Sequence, residues 1–149
     1  MTKQRGFSLI ELLIVVAIIL IIAAIAIPNL IKSKMAANEA SAVESLRTIN
    51  TGEVTYASTY GTGYTNLTAL GSSGFIDTVL SSGRKSGYSF AAVPSDGSGT
   101  SVDPFTGYTA TGIPRANNQG TRMFCTDSTG VIRYVTTATG CSSSSSPIQ

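Results

Sequence analysis

The sequence contains no histidine, which removes the histidine-based catalytic triads and every zinc site that needs an imidazole. No glycine-rich phosphate-binding motif occurs either. Charge is scarce: Asp, Glu, Lys and Arg make up 12% of the 149 residues, and two of the ten basic residues, Lys3 and Arg5, lie in the first six positions. Beyond that hexapeptide eight basic side chains are balanced by eight acidic ones. A near-neutral body releases few counterions from nucleic acid and is steered only weakly toward anionic surfaces, so no specific nucleic-acid partner is expected. Asp77, Asp96, Asp103 and Asp127 are scattered over stretches of Gly, Ser or Pro, where short carboxylates shape turns. Asp96 and Asp103 lack the ligand spacing of a calcium loop. No catalytic residue, metal ligand or cofactor is expected, and the chain does not read as an enzyme. Cysteine is limited to Cys125 and Cys141, whose meaning depends on the redox compartment.

Most of what is present sits in one block. The length suits a single domain, and 42% of the residues are hydrophobic, but many of these lie near the N-terminus. The Gly-, Ser- and Thr-rich remainder can build only a modest core. Between Glu11 and Lys32 no residue is charged, and the twenty residues 12–31 are almost all Leu, Ile, Val or Ala. As a helix rising about 1.5 Å per residue, this stretch is roughly 30 Å long, enough to span a bilayer. A secretory signal is the alternative; its apolar region is shorter, about 7–15 residues, although Ala24-Ile25-Ala26 resembles a small-residue cleavage site. Glu11 separates the two readings. An acid costs up to about 2.5–3.5 kcal/mol at the centre of a membrane and less near the interface, and neither a plain signal nor a plain anchor has a use for one. It reads as a functional group awaiting a cation. Lys3 and Arg5 on one side are matched by Lys32 and Lys34 on the other, so positive-inside counting gives no orientation.

The run Lys3-Gln4-Arg5-Gly6-Phe7-Ser8-Leu9-Ile10-Glu11-Leu12-Leu13-Ile14 resembles the class III signal of type IV prepilins, with a basic leader, a Gly-Phe junction and Glu four residues after the Phe. The resemblance implies cleavage between Gly6 and Phe7 by a membrane aspartyl prepilin peptidase and N-methylation of the new terminal Phe7. It extends to Pro28, where the family carries a proline expected to kink the helix. Cleavage creates an ammonium on Phe7, about one helical turn from Glu11. Two charges brought into an apolar filament core must pair, so Glu11 is expected to set subunit register during assembly. The implied product is a type IV pilus subunit, anchored once in the inner membrane and then polymerised with copies of itself into an extracellular filament by the pilus assembly machinery. Adhesion, motility and DNA uptake all use such filaments. The alternative is a pseudopilin of a type II secretion system, which carries the same signal. The Cys125 and Cys141 pair resembles the disulfide-bounded loop of many pilins and favours the surface filament.

The expected fold is α+β: a long N-terminal helix, transmembrane and then amphipathic, packed against a small C-terminal antiparallel sheet in the ladle-like pilin manner. The expected divisions are a leader at 1–6, a transmembrane or filament-core helix at 7–31, an amphipathic helix at 32–60, a globular head at 61–141 and a disordered serine-rich tail at 142–149. Ile31, Met35, Ala42, Val43, Leu46, Ile49, Val54, Ala57 and Tyr60 recur at mostly helical steps. Lys32, Lys34, Asn38, Glu39, Glu44, Arg47 and Asn50 are assigned to the opposite face. Gly61-Thr62-Gly63 stops the helix. Residues 64–70 and 75–80 read as a linker with short helical turns, and strands are expected at 88–93, 107–111, 121–126 and 131–136, the last two joined by the turn Asp127-Ser128-Thr129-Gly130. Between Phe7 and Tyr56 there is no aromatic residue, a helical gap of roughly 70 Å, which argues against an electron-conducting spine. Tyr56, Tyr60 and Tyr64 are expected to pack the helix on the sheet.

Overall fold

The computed structural model describes residues 7–136 and 140–148, which fall into two compact units, 1–34 and 35–149. A single helix, α1 (Leu9–Tyr60), contributes to both. Leu, Ile and Ala sustain its first half. Pro28 lies inside it and has no N–H to donate to the carbonyl one turn earlier. Gly61 ends α1 with a φ of +68°, a left-handed conformation that costs glycine little, and its N–H closes on the Ala57 carbonyl at 3.1 Å.

In the second unit, two short helices, α2 (Leu67–Ser72) and α3 (Thr78–Ser81), precede a six-stranded antiparallel meander. Each short helix starts on a side-chain cap: Asn66 accepts the Ala69 N–H, and Asp77 accepts the Leu80 N–H. The strands, in spatial order, are β1 (Arg84–Lys85), β2 (Tyr88–Ser95), β3 (Gly107–Pro114), β4 (Met123–Asp127), β5 (Arg133–Val135) and β6 (Ser146–Pro147). The α+β class read from the sequence is the class observed. β2 and β3 form the longest ladder, from Tyr88 opposite Pro114 to Ser95 opposite Gly107. The turn after β4 forms as expected, with the Gly130 N–H on the Asp127 carbonyl at 2.9 Å and Asp127 Oδ1 accepting from the Thr129 amide.

The core of this unit joins Ala42, Leu46 and Ile49 of α1 to Tyr88, Phe90, Tyr108 and Phe124 of the sheet, with Leu70 and Leu80 filling one end. Gly52 belongs to the helix face that meets the α2 region: a Cβ there would lie 3.1 Å from Ile76 Cγ2 and 3.7 Å from Leu70 Cδ2. The glycine therefore permits close packing, which offsets its low helix propensity.

Three expectations are corrected. The helical face toward the sheet runs through Glu39, Ala42, Leu46, Ile49 and Glu53, all buried, while Val54 and Tyr60 are 58% and 51% exposed. Glu39 and Asn50 thus lie on the inner side of the helix, where Glu39 bonds Arg122 of the β3–β4 connection and Asn50 bonds Thr126 of β4, which offsets burial. Tyr64 does reach the sheet, with its ring 4.7 Å from that of Tyr108, and Tyr56 packs against the core, but Tyr60 is half exposed and meets Tyr56 and the edge of Phe75 instead. The serine-rich tail is ordered as far as the described residues reach. Ser142 to Ser145 close a turn, β6 pairs with β5, and the Ile148 N–H bonds the Ile132 carbonyl at 3.0 Å while its side chain packs on the core. Low-complexity composition did not decide the matter, since Cys141 on one side and Ile148 on the other anchor the run.

Candidate functional site

The candidate site begins where α1 begins. Gly6 and the rest of the hexapeptide lie outside the described residues. Ser8 immediately precedes the first helical residue and Glu11 is the third, the spacing of a capping box. The Ser8 N–H donates to Glu11 Oε2 at 2.9 Å. The carboxylate thus folds back over the helix N-terminus, next in sequence to Phe7, where unpaired N–H groups and the positive end of the helix dipole favour an anion. Sequence reasoning assigned Glu11 a cationic partner and missed this amide donor, although Ser8-Leu9-Ile10-Glu11 spells the box.

Every Leu, Ile and Val from Leu9 to Ile31 is exposed, and Phe7 is 76% exposed. The helix includes an 18-residue window of mean hydropathy 3.3 with none of it buried, long and apolar enough to cross a membrane. A continuous apolar surface of this length requires lipid or another apolar chain against it. Glu11 is the single ionisable side chain in this stretch, so the carboxylate and the apolar helix form one site.

In the second unit Cys125 of β4 is bonded to Cys141, with Cα atoms 5.7 Å apart. The bond ties the C-terminal segment, including β6, to the middle of the sheet. Closing a loop of this size removes about 3 kcal/mol of denatured-chain entropy. Replacing both cysteines by serine should therefore lower the unfolding free energy of the purified chain by about 3 kcal/mol. Denaturant titration measures it, and an unchanged midpoint would mean the tail holds itself.

Two buried acids on α1 were not foreseen. Glu39 accepts the Thr121 N–H at 2.8 Å, the Thr121 hydroxyl at 2.9 Å and Arg122 Nε at 2.7 Å. Burial works against its charge, but these hydrogen bonds and the guanidinium outweigh it and hold the carboxyl below the usual range. Arg122 in turn lies over the rings of Phe124 and Tyr134, at 5.4 and 5.3 Å. Asn38 supports the same loop by donating to the Gln119 carbonyl at 2.9 Å. Glu53 is fully buried with one bond, from the Thr65 N–H at 2.8 Å. The signal for both acids was the alternation of three- and four-residue steps through 39, 42, 46, 49 and 53, which places two glutamates on the core face. A groove lined by Ile113, Pro114, Asn117 and Met123, among others, carries no ionisable side chain.

Residues 1–27 match the family model described as the prokaryotic N-terminal methylation motif. The chain carries a prepilin N-terminus. Two curated relatives are similar to the chain. The type IV major pilin protein PilA of Myxococcus xanthus is 48% identical over 56 residues, 38% of this chain and 26% of that protein. The type IV wide pilus major component PilA4 of Thermus thermophilus is 56% identical over 39 residues, 26% of this chain and 30% of that protein. The matched segment thus spans about a quarter to a third of each relative's length. The chain is thus homologous to type IV major pilins over part of its length, and the methylation motif at 1–27 contains Phe7, Glu11 and much of the exposed apolar surface.

Proposed function

We propose that this chain is the structural subunit of a type IV pilus, held by its apolar helix in the inner membrane before assembly and polymerised through that helix into an extracellular filament. The observation that carries this reading is the prepilin motif at the start of a helix whose Leu, Ile and Val side chains from Leu9 to Ile31 are all exposed. A prepilin peptidase cleaves between Gly6 and Phe7, and Phe7 is then N-methylated. Glu11 neutralises the new ammonium and fixes register as copies are added by the assembly machinery. Pro28 leaves one carbonyl of the helix without its usual donor and so supplies a place for the helix to bend in the filament.

Support for a surface filament over a type II secretion pseudopilin comes from both relatives, which are named as major pilus components, and from the Cys125–Cys141 bond. Shearing separates the two. A pilus subunit is recovered in the sheared surface fibres, its terminus at Phe7, whereas a subunit confined to the periplasm would mean the secretion piston.

A further inference from the structure

Glu53 has no part in the filament reading, and its surroundings are unusual for an acid. It is fully buried on α1 in the second unit. Oε2 accepts the Thr65 N–H at 2.8 Å, while Oε1 is buried with no hydrogen-bond partner. The ion pairs among the described residues are Arg47–Glu44, Lys85–Asp77 and Arg122–Glu39, so no cation pairs with Glu53. A carboxylate in this position has one hydrogen bond for two oxygens, which is too little to replace its lost hydration.

Thr65 belongs to the segment 61–66 that links α1 to α2. The segment is also held by Phe105, whose N–H donates to the Thr62 carbonyl at 3.1 Å and whose carbonyl accepts the Tyr64 N–H at 3.1 Å. Phe105 closes the long β2–β3 connection. The Glu53 carboxyl and the Phe105 backbone therefore both hold one segment. Among the titratable groups, Tyr108 on β3 feels the charge of Glu53 and also those of Tyr64 and Asp127. Tyr108 donates to Asn50 Oδ1 at 2.8 Å and so is not free to serve Glu53. Asp127 is engaged with Thr129. α2 carries no titratable side chain at all.

We propose that Glu53 is a proton-operated latch on segment 61–66: neutral, it stays buried against Thr65, and ionised, its unhydrated carboxylate favours states in which water reaches it, so that the segment and the Phe105 end of the β2–β3 connection open. Burial raises the Glu53 carboxyl from 4.5 to about 7, against the pull of the Thr65 amide. The folded state thus binds the proton more tightly than the unfolded chain does. Stability from this group is complete below about 4.5 and is lost as the pH rises through about 7. That interval corresponds to roughly two orders of magnitude in the folded-to-unfolded ratio.

The test is unfolding of the full chain in detergent micelles between pH 5 and pH 8.5, comparing wild type with Glu53→Gln. Glutamine keeps an acceptor for the Thr65 N–H and carries no charge. The chain has no histidine, and the N-terminal amine is common to both proteins, so Glu53 is the group that distinguishes them in this window. The expected result is a roughly hundredfold loss in the wild-type folded ratio across the window and a flat profile for Glu53→Gln, with the Thr65 amide in wild type losing exchange protection as the pH rises. Parallel profiles would overturn the latch. If the variant does not fold, the carboxyl-carbon resonance of Glu53 in wild type decides: a midpoint near 7 supports the latch and a midpoint near 4.5 overturns it.

Discussion

Cells carrying Glu11→Leu are expected to process the subunit normally yet to make no surface filaments. The substitution removes an acid whose insertion costs up to about 2.5–3.5 kcal/mol, so the monomer enters the membrane at least as well as before. It also removes the acceptor for the Ser8 N–H, a helix-end interaction worth about 0.3–1 kcal/mol, which leaves a helix of this length intact. The large loss comes in the filament core, where the Phe7 ammonium would be buried without its partner at about 3–5 kcal/mol per subunit. Sheared-fibre yield, read beside an immunoblot of processed subunit in the membrane, measures it. Glu11→Gln sharpens the comparison because it keeps an acceptor for Ser8 and lacks the charge. It too should fail to assemble, and normal fibres from Glu11→Gln would mean that the cap, and not the ion pair, is what assembly requires.

The second large effect is expected at Glu39. Glu39→Ala leaves the Thr121 and Arg122 amides and the Arg122 guanidinium without their acceptor. Breaking a buried ion pair typically costs about 3–5 kcal/mol. The Arg122 side chain is 40% exposed and can recover some hydration, so about 2–4 kcal/mol is the better expectation here. Denaturant titration at neutral pH measures it, and a loss under about 1 kcal/mol would show that the loop at 115–122 does not depend on this clamp. The pH dependence has the opposite sign to that of Glu53. The Glu39 carboxyl is depressed in the folded state, so its contribution is present above about 4.5 and is lost as the pH falls through the folded value. With Glu39 weakening the fold in acid and Glu53 weakening it in alkali, the second unit should be most stable in mildly acidic medium.

The parts of this molecule legible in sequence were those set by local chemistry. A twenty-residue uncharged run has few alternatives to a helix, the Gly61 stop is a backbone property, and the Asp127-Ser128-Thr129-Gly130 turn is written in its residue types. The long strands β2 and β3 alternate clearly enough to be seen. β1 and β6, two residues each, exist because a neighbouring strand offers a free edge, and nothing local announces that. The core face of α1 was misread at Glu39 and again after Ile49 because apolar residues were followed and acids excluded. Glu39 and Glu53 are buried through partners 82 and 12 positions away, Thr121 and Thr65, which a local reading does not reach. The same limitation hid the second role of Glu11, since a cation was sought for it when an amide three residues away was already present.

The most direct test of the subunit reading is the intact mass and N-terminal sequence of this chain recovered from sheared surface filaments. The expected chain begins at Phe7, N-methylated, with residues 1–6 removed and the whole apolar helix retained. A mature chain beginning at Ile27, after Ala26, would mean that an ordinary signal peptidase had discarded Glu11 and most of the helix, and would contradict assembly through it.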